Sequence, residues 1–150
     1  MNSQNTQRCK DYLAQHPLNS QQPNTKTTGS AQSTFSYATT LNTDQVLLEN
    51  SGDLSLIRVF FELDADGQSY HSELSILSAG EPFKTGIFDL YEHPNIVIFS
   101  VFSSYVHAQI NSGHLCLVVD DKKIEGIVLG GSTITKADYH VNAHFNLTKP

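Results

Sequence analysis

Four carboxylates surround one glycine near the middle of the chain. Glu62, Asp64, Asp66 and Glu73 stand at places one, three, five and twelve of the stretch Glu62 to Glu73, with Gly67 at place six. Hard oxygens at this density suit calcium, which takes about six to eight oxygen ligands. Gly67 supplies a sharp turn, and the carbonyl of Gln68 would add one more oxygen. The seven histidines offer a second chemistry, metal ligation or proton transfer. His140 and His144 have the spacing that serves zinc on a helix, but on a strand they lie roughly 13 Å apart and cannot share an ion. Asp138 and His140 would share a strand face, and His107 or His114 from a neighbouring strand would be the third ligand. The competing reading is polar side chains on a solvated sheet face. Cys9 and Cys116 allow one disulfide, or else one free thiol in a polar segment and one small apolar residue in a strand.

The acidic stretch resembles the calcium loop of EF-hand proteins over these twelve residues. That resemblance implies a calcium cofactor held by Glu62, Asp64, Asp66 and Glu73. The stretch departs from the loop in three ways: its first ligand is Glu, Ser69 stands where the family has an aliphatic residue, and its flanks alternate like strands instead of reading as helices. The competing reading is a β-hairpin tip whose acids serve turn formation and solubility.

Nucleophilic chemistry finds no support. Gly130-Gly131-Ser132-Thr133-Ile134 lacks the last glycine of a nucleophile elbow and reads as a bulge or bend. Cys116 lies between Leu115 and Leu117 and is expected to be inert. No phosphate-cradling glycine loop and no paired-histidine zinc motif occurs in the chain. No catalytic residue is therefore assigned. Asn146-Leu147-Thr148 fits the glycosylation triplet, with Asn146 on the polar side of its strand.

The elements that must position these residues are read from periodicity. Residues 1–34 are more than half Asn, Gln, Ser and Thr, and are expected to be a flexible polar segment with a short helix near residues 8–15, ending before His16-Pro17. From Phe35 the period is two, as in strands. Phe35, Tyr37, Thr39 and Leu41 read as one face of a first strand, and Gln45 to Asn50 as a second. Leu54 to Leu63 is apolar on both sides, the mark of a strand covered twice or of a buried helix, and its Ile, Val and Phe content favours the strand. Asp64-Ala65-Asp66-Gly67 reads as a turn. Ile96 to Ile110 reads as one long strand, bent near Ser103-Ser104. In the last strand Tyr139, Val141, Ala143, Phe145 and Leu147 point one way, and His140, Asn142, His144, Asn146 and Thr148 the other. About eight to ten strands with short connections predict antiparallel pairing.

Charge and composition then bound the function. The 150 residues carry 9 basic and 15 acidic side chains, a formal charge of −6, with no basic cluster for nucleic acid. Apolar runs such as Ile96-Val97-Ile98-Phe99 fall well short of the roughly 20 residues that span a bilayer, so no membrane insertion is expected. The polar start has no apolar core of a signal peptide. The low charge and abundant Asn, Gln, Ser and Thr lean towards an extracellular or periplasmic setting over a cytoplasmic one. The expected architecture is a single all-β domain over 35–150, an antiparallel β-sandwich with a closed β-barrel as the alternative. The expected function is a non-enzymatic interaction module. It would engage a protein partner, or a second copy of itself, through a sheet face or edge. An inhibitor or antagonist of a secreted enzyme is one version. The alternative is a small barrel enzyme or ligand carrier with a pocket of His, Asp and Glu.

Overall fold

A computed structural model of the chain describes residues 3–16, 28–35, 39–65, 67–102, 106–132 and 139–149. Among them a helix, α1 (Ser3–Gln15), precedes the strands β1 (Thr28–Phe35), β2 (Thr39–Thr43), β3 (Val46–Ser51), β4 (Leu54–Ala65) and β5 (Gln68–Ala79). The chain continues through β6 (Gly86–Asp89), β7 (Ile96–Phe102), β8 (Val106–Gln109), β9 (Ser112–Val119), β10 (Lys123–Ser132) and β11 (Tyr139–Thr148). A six-stranded sheet has the order β2-β1-β11-β10-β9-β6, and a five-stranded sheet the order β3-β4-β5-β7-β8. The described pairings are antiparallel. Neither sheet closes on itself, which is consistent with a β-sandwich and not with the closed barrel.

The alternation of β11 becomes strict in-and-out burial, with Tyr139, Val141, Ala143, Phe145 and Leu147 inward. These meet Ile57, Val59 and Phe61 of β4, Ile76 of β5 and Ile98 of β7 in one continuous apolar core. The Tyr139 hydroxyl and Ser100 Oγ lie 2.7 Å apart and join the two sheets by a buried hydrogen bond. Gly126 is needed on this face because the Phe145 ring lies across it; a Cβ there would sit 2.2 Å from the ring.

β4 is covered twice, as its two-faced pattern predicts. Its odd positions fill the core between the sheets. Leu54 and Leu56 on the other face join Leu77, Ala79 and Val97 beneath α1, where Cys9 is completely buried and Tyr12 and Leu13 partly so. Arg8, in the middle of the helix, forms an exposed ion pair with Asp53, and Lys10 lies over the Phe99 ring. The five-stranded sheet is thus sandwiched between the helix and the other sheet.

Four expectations are corrected. The segment read as flexible contains α1 from Ser3 and β1 from Thr28, while residues 17–27 lie outside the described residues. The spacing of Cys9, Tyr12 and Leu13 supplies a narrow apolar stripe, enough for a helix that docks. β1 reads as polar because its inward positions Ala31 and Ser33 are small. The strand expected from Phe35 to Leu41 is instead a hairpin: Phe35 ends β1 and pairs with Thr39 at the start of β2. The long strand from Ile96 to Ile110 is also a hairpin, with Phe102 opposite Val106. Residues 103–105, outside the described residues, include no Gly or Pro, so an unbroken β-forming run conceals the break. Gly130-Gly131, expected to interrupt, instead continues β10 opposite Val141 and His140.

Candidate functional site

The acidic stretch folds as a hairpin. β4 and β5 pair in register from Leu54 opposite Ala79 to Ala65 opposite Gln68, and Gly67 takes the positive φ of 75° expected of it. Glu62 stands opposite His71, with its carboxylate 4.0 Å from Nδ1 of that ring. Glu73 stands opposite Phe60, one diagonal step away on the same face. Asp64 lies in β4 opposite Ser69, and Asp66 lies outside the described residues. The hairpin replaces the helical flanks that a calcium loop of the EF-hand type would have. Among the described residues no group of three His, Cys, Asp or Glu side chains is close enough to hold a metal ion.

The histidines are dispersed. His140 and His144 occupy outward positions of β11, and His144 Nε2 lies 2.8 Å from Gln32 Oε1 on β1. His114 sits two strands away on β9, opposite Leu129, with Nε2 3.6 Å from Asp89. Asp89 is itself held by its turn, accepting hydrogen bonds from the amides of Tyr91 and Glu92. Two strand spacings of about 4.8 Å separate the His114 and His140 strands, too far for one ion. Asp138 lies outside the described residues, and His107 belongs to β8 of the other sheet. Both cysteines are free thiols. Burial pushes the Cys9 thiol up to about 11, so it is protonated and unreactive where it sits.

One buried ionic cluster lies beneath α1. Arg58, on the helix-facing side of β4, is 1% exposed and its Nη1 is 3.6 Å from Glu49 Oε2. The Tyr12 hydroxyl donates to the same carboxylate oxygen at 2.7 Å. Burial, and then this hydrogen bond, push Tyr12 up to about 12.

The outward face of the six-stranded sheet is the most distinctive surface. Register places Ile87 opposite Cys116 and Cys116 opposite Ile127, a row across β6, β9 and β10. Val118 and Leu129 flank it on the same side of the sheet. Ile87 is 73% exposed, Val118 60%, Leu129 49% and Ile127 45%, far above what burial of such side chains favours. The row continues into His144, Gln32 and Asn42, so the other half of the face is amide, hydroxyl and imidazole. A shallow concavity of about 630 Å³ runs along Ile87, Val118, Glu125 and Ile127 to His144 and Asn146. A second open groove of the same size lies at the β2 end, lined in part by Gln32, Asp44, Glu62 and His144.

Sequence reasoning assigned none of the patch residues, yet the signal was present. Ile127-Val128-Leu129 and Leu117-Val118-Val119 are unbroken apolar runs in strands with only one face toward the core. Period two then forces some of those side chains outward. Asn146 of the glycosylation triplet is exposed on the same face. Among the described residues no helix is long and apolar enough to cross a membrane. Comparison of the chain with protein families, with curated proteins and with solved structures gives no match.

Proposed function

We propose that the chain is a non-enzymatic β-sandwich interaction module that engages a protein partner through the outward face of its six-stranded sheet. The observation that carries this reading is the aligned row Ile87–Cys116–Ile127, with Val118 and Leu129 beside it, on the solvent side of a sheet whose other face is already packed. Contiguous apolar surface rimmed by polar groups is the usual form of a protein-binding site. Strands hold such side chains at fixed spacing, so the surface is formed before the partner arrives and little ordering entropy is lost on binding. An antagonist of a secreted enzyme would use the same face.

The test places a photoreactive amino acid at position 127 of the full chain. The chain is then irradiated in extract of its native source. A discrete protein adduct that excess unlabelled chain competes away is the expected result. The reading fails if no competed adduct forms.

A further inference from the structure

We propose that the protein occupying this face is a second copy of the same chain, docked face to face about a two-fold axis. This rests on the interaction reading above and names its partner.

Charge is the first argument. The chain carries a net −6, so copies of it repel one another unless they meet where that charge is absent. On the β6, β9 and β10 part of the outward face the ionised side chains are Asp89, Glu125 and Lys123. Asp89 is already engaged by its turn amides and by His114. Glu125 and Lys123 are of opposite sign and sit two residues apart on one side of β10. A basic partner would need a concentration of acids here, and the acids of the chain lie mostly elsewhere. A near-neutral apolar face on an acidic chain fits its own copy instead.

Area and symmetry agree. A stable interface takes about 800 Å² from each partner. A face of six strands, from four to ten residues long, offers roughly 700 Å² in projection, before side-chain relief is added. A second copy that covers the whole face about a two-fold axis running across the strands sets apolar half against apolar half and amide-rich half, wet, against amide-rich half. A two-fold contact needs one patch that complements itself, and apolar rows on two copies of one sheet face do so without any matching of unlike charges. Packing of sheet on sheet is also how the chain builds its own core.

Sedimentation equilibrium of the full chain, from nanomolar to high micromolar concentration, tests the proposal. A monomer–dimer equilibrium is expected. Ile127→Lys and Val118→Glu each change an outward side chain without touching the core, and each should weaken dimerisation at least about 30-fold. Thr148→Lys, on the polar border of the same face, should leave it within a few-fold of wild type. Thermal unfolding of each variant confirms that its fold is intact. The half-buried Cys116 thiol, at the centre of the row, should lose reactivity as concentration rises, while Cys9 stays silent throughout. A wild-type chain that is monomeric at every concentration overturns the proposal, and so does a dimer indifferent to both patch variants. The adduct at position 127 separates the two readings. An adduct with a different protein overturns the second copy but keeps the interaction surface, and loss of every adduct removes both.

Discussion

Arg58 is the residue where the physics is most exposed to test. A guanidinium in the middle of a strand, 1% exposed, is costly unless its charge is answered. Glu49 answers it from β3, and Tyr12 holds the Glu49 carboxylate from the helix above. Arg58 Nε and Nη2 have no hydrogen-bond partner among the described residues, so Glu49 is the group on which the compensation rests. Removing it in Glu49→Ala strands a buried charge and should cost about 3 kcal/mol, the low end for a buried pair because Glu49 keeps a quarter of its side chain in water. Arg58→Met removes the charge and fills similar space, and should be neutral or stabilising. The double variant should then recover most of what Glu49→Ala loses. Urea denaturation of the four chains gives the coupling directly. Additive losses would show that the pair contributes nothing through its charge.

At the scale of elements, legibility followed the strength of the local period. β11 alternates perfectly and was readable to the residue. β4 was readable as a doubly covered strand because no single-faced element is apolar at Leu56, Ile57, Val59 and Phe60 alike. The breaks within the runs 35–41 and 96–110 were not readable, since Ser, Tyr and Ala carry none of the backbone bias that Gly, Pro or Asn-Gly supplies. β1 was hidden because a strand inserted between β2 and β11 draws its burial from large neighbours such as Phe145, and before Phe35 its own inward positions are only Ala31 and Ser33. The acidic stretch was readable as two alternatives, and strand-like flanks favoured the one that the β4–β5 register displays. The hairpin carries a prediction of its own. With Glu62 held opposite His71 and Glu73 opposite Phe60, these two acids stand on the two paired strands of a hairpin. Calorimetric titration with calcium should therefore give no binding heat at millimolar ion. Glu62→Gln should change stability by less than about 0.5 kcal/mol, as exposed substitutions do. Saturable heat that Glu62→Gln abolishes would restore the calcium loop.

Among the described residues the molecule holds together through two apolar clusters that share no residue. The larger lies between the sheets; the smaller lies between α1 and the back of the five-stranded sheet. A helix of 13 residues is marginal by itself, and this one brings a single completely buried side chain, Cys9, to its contact. Separate clusters imply separate stabilities, with the helix at the lower end. Undocking of α1 should therefore precede unfolding of the sheets as urea rises. The same contact has a pH dependence of known sign. Docking raises Cys9 from its ordinary 9 to about 11 and Tyr12 from its ordinary 10 to about 12, in both cases chiefly by burial. Both are therefore protonated in the docked state at a pH where the released helix has begun to ionise. Docking keeps its full strength below about pH 9 and weakens as pH climbs towards 11 and 12, by on the order of 1 kcal/mol per pH unit for the thiol at most. The measurement is alkylation of Cys9, scaled at each pH to its rate in the unfolded chain, with far-ultraviolet dichroism following the sheets. Protection of Cys9 should fall above pH 9 and at lower urea than the sheet signal. Loss of protection only in step with the sheets would mean that the helix and the two sheets form one cooperative unit, and that the two clusters are separate in space but not in energy.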